Sequence, residues 1–164
     1  MTRGWMIALA LVATEASADE EFVFHEALVQ QCYDNATSGK SQDCVGSAAD
    51  LCMAQNEGGW STYGMNYCIG EEFAWWDAVL NREYQRVMVA SKQVDTDMAG
   101  MQVPSVAGAL RDMQRAWIGF RDGTCLYEVS QWSNGTGAGP AHAGCMMRLT
   151  AEQALYLAGE GHTQ

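Results

Sequence analysis

The sequence predicts an all-α domain: an antiparallel helical hairpin plus a third helix, disulfide-stapled, with an N-terminal helical extension. Three observations predict this. Apolar residues recur every three or four positions through the windows 62–92, 105–131 and 140–158, which is the spacing of a helix face. No stretch shows the strict alternation of a half-buried strand. Six cysteines stand near the ends of those windows, where they can tie helices to one another.

The first eighteen positions (residues 1–18) read as a secretory signal. Arg3 supplies a positive start, Trp5 to Ala13 is an apolar run too short to span a bilayer, and Ala16-Ser17-Ala18 fits a small-x-small cleavage site. Residues 19–164 are then enough for one domain with a modest core, in a periplasmic or secreted protein with no membrane insertion. All six cysteines, Cys32, Cys44, Cys52, Cys68, Cys125 and Cys145, survive cleavage. An even number in an exported chain points to disulfides. A zinc site needs close pairs of the C-x-x-C kind, and none exists, so no metal and no cofactor is expected. The formal net charge of −11 excludes a basic nucleic-acid footprint and favours cationic protein partners.

Along the chain, Phe22, Val23, Glu26, Ala27, Val29, Gln30 and Tyr33 suit a short amphipathic helix over 20–33. Asp34 to Ser41 is turn chemistry, and a second short helix is expected over 42–55. These segments make up the N-terminal extension, residues 19–51. Ser61 or Thr62 can cap a long helix over 62–92, striped by Ile69, Phe73, Trp76, Leu80, Tyr84 and Val87. Asp95 through Pro104 reads as a linker. Ser105 caps a second long helix to about Gln131, striped by Val106, Leu110, Met113, Trp117, Phe120 and Thr124. The glycine-rich turn Trp132 to Gly139 follows, and Pro140 suits the first turn of the third helix. Residues 159–164 read as a flexible tail. Both long stripes are wide, so the two helices are expected to pack on each other and on a third element.

In this arrangement Cys68, Cys125 and Cys145 gather at one end of the bundle. Several pairings are possible. The sequential set Cys32–Cys44, Cys52–Cys68 and Cys125–Cys145 is favoured, each closing a short loop worth roughly 3 kcal/mol in the chain-entropy treatment. The rival joins Cys68 to Cys125.

Among polar residues, Arg121 and Asp122 are neighbours on a helix and do not face each other. Each therefore needs its own partner, with Glu72, Asn81 or a helix end available, and the set is expected to hold helices in register. Of the tryptophans, Trp76 and Trp117 lie on the stripes and belong to the core. Trp75 points off its stripe, and Trp60 and Trp132 sit in loops. Those three are the candidates for a contact surface, because exposed indoles anchor partners or stack on sugars. Catalytic groups are scarce. The three histidines His25, His142 and His162 lie in weakly structured segments. The serines lack a G-x-S-x-G setting, and Glu71, Glu72 and Asp77 read as ordinary helix-face acids rather than a glycosidase pair. The chain is not expected to be an enzyme. Its ten methionines do not share a stripe with histidines and read as core filling.

Taken together, one spaced set of residues resembles the LprI-type lysozyme-inhibitor domain. The set comprises Ser61-Thr62-Tyr63-Gly64-Met65-Asn66-Tyr67-Cys68, Glu72, Trp76-Asp77, Leu80-Asn81 and Tyr84. It continues with Leu110, Gln114-Arg115-Ala116-Trp117, Arg121-Asp122 and Cys125, and ends with Cys145, Thr150 and Leu157. The resemblance covers 52–158. It departs from the family at Gln153, where the family commonly has arginine, and in the long Cys52–Cys68 spacing around Gly58-Gly59-Trp60. It implies a small exported helical domain that binds and inhibits a lysozyme, the partner being a cationic c-type lysozyme or another basic envelope-associated protein. The alternative is a non-catalytic module for an envelope glycan or peptide. The contact surface expected is the loop Trp132 to Pro140, with Gly135 and Gly137 giving it freedom to conform, and Trp60, Thr62 and Tyr63 beside it.

Overall fold

A computed structural model describes residues 22–39 and 42–159, among which there are five helices and no strand. The expected leader at 1–18 and all of the expected tail after Gly159 lie outside the described residues. The helices are α1 (Glu26–Thr37), α2 (Ser47–Gln55), α3 (Thr62–Asp97), α4 (Val106–Ser130) and α5 (Ala138–Gly159).

The helix ends follow from local chemistry. Ser61 caps α3 by accepting a hydrogen bond from the Gly64 amide, and Ser105 does the same for α4 with the Gly108 amide. Pro140 falls in the first turn of α5, where its missing N–H costs nothing. Three boundaries differ from expectation. The first helix begins at Glu26 and runs through Thr37, because Gln30 and Thr37 hydrogen-bond within the helix and Gly39, at φ +82°, ends the turn that follows it. The second starts only at Ser47, since Gly46 adopts a left-handed conformation just before it. The α3 helix continues to Asp97, so Asp95 to Asp97 are helical rather than linker. Asp95 reaches forward instead of bonding its own backbone. Its carboxylate accepts from the Ser105 hydroxyl at 2.6 Å and from the Val106 and Ala107 amides at 2.6 and 3.2 Å, which adds a second cap to α4.

The long helices form the expected hairpin, α3 up and α4 down, and α5 returns parallel to α3. Asn66 in the first turns of α3 approaches Gly139 at the start of α5, while Arg86 further along α3 donates to the Leu157 carbonyl at 2.8 Å. Against α4, α5 is antiparallel: Arg148 pairs with Glu128 at 2.9 Å and Gln153 with Gln114 at 3.0 Å. The most extensive contact is between α3 and α5, and α4 touches α5 more than it touches α3. The third helix is thus the axis of the bundle. Its buried face contains Met147, Ala151, Ala154, Leu155, Leu157 and Ala158, and the alanines let it lie close to Trp76, Val79 and Leu80 of α3.

This overturns the expected burial of the α4 stripe. Leu110 and Ala107 are buried, but Trp117 is only partly so, Val106 is exposed, and Phe120 is 61% exposed. The reason is geometric: α5 fills the space between the long helices, leaving part of the α4 stripe against solvent. The N-terminal extension covers the other side of α3. Tyr33 of α1 packs edge-on against Trp75, whose ring in turn meets Trp76 at 5.0 Å. Trp75 is therefore half-buried beneath α1 and is not the free surface indole expected of it.

Disulfides join Cys32 to Cys44, Cys52 to Cys68, and Cys125 to Cys145, tying α1 to the following turn, α2 to α3, and α4 to α5.

Candidate functional site

Two buried carboxylates organise the interior. Glu72 is completely enclosed. Its two oxygens accept from the Gly46 amide at 2.7 Å, the Ala49 amide at 2.8 Å and the Trp76 indole N–H at 3.2 Å. It therefore caps α2 from a neighbouring helix, its negative charge set against the helix N-terminus. This position removes Glu72 from any glycosidase pair. Asn81 donates to the carbonyl and the carboxylate of Asp77, one turn back on α3. Arg121 bonds its immediate neighbour Asp122 through Nε and Nη2, at 2.9 and 2.8 Å, and lays its guanidinium over the Trp117 ring. The expectation that this pair needs separate partners is corrected: a long arginine can fold back along the helix surface to the next carboxylate. Glu72, Asn81, Arg121 and Asp122 do not form one network.

The second buried carboxylate, Glu83, is a hub that the sequence reading missed. It accepts from Tyr33 of α1 at 3.0 Å, from Arg82 at 2.9 Å and from Arg86 at 2.7 Å, and Arg86 also closes the last carbonyls of α5. Burial pushes its carboxyl up, but the bonds from Arg86, Arg82 and Tyr33 outweigh it and hold the group below its ordinary value. Burial also raises the Tyr33 hydroxyl. Only a search for unpaired charges on the buried side of α3 would have found this hub, since Glu83 lies off the apolar stripe by a single residue from Tyr84.

Three of the exposed aromatic residues lie toward the opposite end, where α3 and α5 start and α4 finishes. Trp60 is 62% exposed, Tyr63 71% and Trp132 51%. Their loops are not slack. A Cβ on Gly59 would collide with the Met53 backbone, and one on Gly64 with the backbone of Gly58 and Gly59, so the 56–61 turn is wedged onto the first turn of α3. Asn56 clamps the segment before α1, exchanging hydrogen bonds with the Val23 backbone at 2.9 and 3.0 Å. Phe22 packs against Tyr63 and stacks on Tyr67 at 5.3 Å. In the second loop the Trp132 indole lies where a Cβ on Gly137 would be, and its carbonyl accepts from the Gly135 amide at 2.9 Å. The expectation that Gly135 and Gly137 leave this loop free to conform is thus replaced by a specific fit: Gly137 is the seat of Trp132. Thr62 is exposed, and its carbonyl accepts from Asn66, whose side chain abuts Gly139 and so links the two loops.

The last turns of α4 add Leu126 and Tyr127, both exposed. Sequence reasoning passed over them, although their displacement from the α4 stripe was the available signal. Glu57 and Asp122 are exposed acidic residues on the 56–61 turn and on the second half of α4. Among the described residues no cluster of side chains has the make-up of a metal site, and no helix is long and apolar enough to cross a membrane.

The family model described as "Lysozyme inhibitor LprI" matches residues 52–157. An uncharacterized protein of Rhizobium meliloti is 31% identical over 100 residues, 59% of this chain and 71% of the relative. An uncharacterized 17.7 kDa protein of Rhodobacter capsulatus is 25% identical over 130 residues, 77% of this chain and 80% of the relative. No solved structure matches significantly.

Proposed function

The chain belongs to the LprI lysozyme-inhibitor family, and from that premise we propose that it is an exported periplasmic or secreted protein that binds a cationic c-type lysozyme and suppresses its cell-wall hydrolysis without catalysis of its own. The family match carries this reading. Net charge is consistent with it: an acidic domain is steered toward a basic enzyme. The disulfides and the family both suit an extracytoplasmic setting, where thiols oxidise.

The contact surface proposed is the aromatic end, with Trp60, Tyr63 and Trp132 as anchors and the exposed Thr62 as a polar member. Aromatic residues held by rigid loops lose little entropy on docking, which suits them to hot spots. Gly137 serves this surface indirectly by seating Trp132.

Calorimetry of the oxidised protein against a c-type lysozyme at low and at high salt tests the reading. Binding should be saturable and weaken as salt rises, and a Trp60→Ala, Trp132→Ala double variant should bind at least about tenfold more weakly while keeping its melting temperature within a few degrees. Absence of binding at low salt would overturn it. Exposed indoles also favour a second reading, a module for an envelope glycan. Salt-insensitive binding of soluble peptidoglycan fragments, lost in the same double variant, would support that one instead.

A further inference from the structure

The end of the bundle away from the aromatic loops carries a half-enclosed groove of about 420 Å³, between the second half of α3, the first half of α4 and the last turn of α5. Its size falls within the range of small-molecule sites, roughly 300–1,000 Å³. Val87, Val94, Leu110 and Met113 give it aliphatic walls, and Arg86 and Ser91 add polar groups from α3. Ser91, only 5% exposed as a residue, lines the groove. Arg86 spends Nε on Glu83 and Nη2 on the α5 carbonyls, leaving Nη1 free of these bonds.

We propose that this groove binds a single-chain amphiphile with a carboxylate head, of the medium-chain fatty-acid class. The head sits between Arg86 and Ser91, and the alkyl chain runs along the aliphatic wall toward Val94. Other occupants fit less well. A sugar ring would want an aromatic platform, and among the described residues Tyr156 is the one aromatic residue that lines the groove. A second copy of the chain would bring another −11 of charge. That same charge repels a free anion only weakly, because exposed charges beyond about 8 Å are screened at physiological ionic strength, while Arg86 acts at contact.

Dodecanoate, titrated below its micellar concentration into the oxidised mature protein, should bind saturably with one molecule per chain. Ala109 is exposed on the α4 wall, so Ala109→Trp should fill the groove and lower affinity at least about tenfold without loss of folding. Ala90→Leu, from the α3 wall, repeats the test should the bulkier variant melt early. Ser91→Ala should weaken binding roughly threefold to tenfold by removing one bond to a charged head. Dodecyltrimethylammonium, equal in chain but opposite in charge, should bind at least about tenfold more weakly than dodecanoate. Lysozyme binding should be unchanged in both groove-filling variants, so the two activities fail independently. No saturable binding of dodecanoate, unchanged affinity in a folded groove-filling variant, or equal affinity for the cation would each overturn the proposal.

Discussion

Single residues at the interior of α3 decide how the N-terminal extension attaches. Glu72 satisfies the amides of Gly46 and Ala49 at the start of α2 and the Trp76 indole at once, so Glu72→Ala strips three donors of their acceptor. The expected cost is about 3 kcal/mol, seen as a fall in the denaturant midpoint, with Glu72→Gln costing less because one acceptor oxygen remains. Tryptophans divide by burial rather than by stripe. Trp76 is fully enclosed, and Trp76→Ala should cost about 3–5 kcal/mol. Trp117 keeps one side open beside Phe120 and Tyr156, and Trp117→Ala should cost only about 1–2 kcal/mol. Equal losses from paired urea melts would contradict the placement of α5 between the long helices. The sequence marked both indoles as core because periodicity identifies a face. It cannot say whether a third helix covers the whole of that face. Glu72 was legible as a member of a spaced set, but its role was not, since its partners lie at Gly46 and Ala49 in a segment the set does not include.

Helix existence, order and direction were legible from periodicity and capping residues, and the Ser61 and Ser105 caps sit where hydroxyls preceding an apolar stripe indicate them. What periodicity did not convey was dominance among the helices. The α5 sequence carries small residues at Ala151, Ala154 and Ala158, which give a weak apolar signal yet belong to the helix in the most extensive contact with α3. The consequence falls on α4, whose stripe is part-covered. That helix is held at its start by Asp95 and Ser105 and near its end by Cys125–Cys145. Replacing both Cys125 and Cys145 by alanine should therefore loosen α4 selectively. Hydrogen exchange should accelerate across 111–130 while the amides of α3 over 72–88 stay protected. Loss of protection throughout all helices at once would show that α4 is integral to a single cooperative unit.

At the scale of the whole molecule, stability rests on a small core supplemented by the Glu83 hub and three covalent ties. The hub makes stability depend on acid. Because the folded Glu83 carboxyl is held below its unfolded value, its contribution is complete above the unfolded range, near pH 4.3 for an ordinary glutamate by rough reference, and is lost as pH falls through the folded value. Glu83→Gln should lower stability by about 2 kcal/mol at pH 7, and the gap to the parent protein should narrow in thermal melts taken at progressively lower pH below that range. A gap constant with pH would remove the carboxylate from the account. The disulfides act across the whole pH range. They close loops with sequence separations of 12, 16 and 20 residues, each worth about 3 kcal/mol through the entropy it removes from the unfolded chain. A domain of ordinary stability has a net of only about 5–15 kcal/mol, so opening all three loops should consume most or all of it. Full reduction, verified by mass after thiol alkylation, should abolish the cooperative melt or lower its midpoint by tens of degrees, roughly as several kcal/mol would in a domain of this size. A metal chelator at the same temperature should leave the melt unchanged, since the cysteines are committed to one another. A melt unaltered by complete reduction would mean that the helices hold themselves together by packing alone, and the staples would then have to be explained by protection against proteolysis rather than by folding.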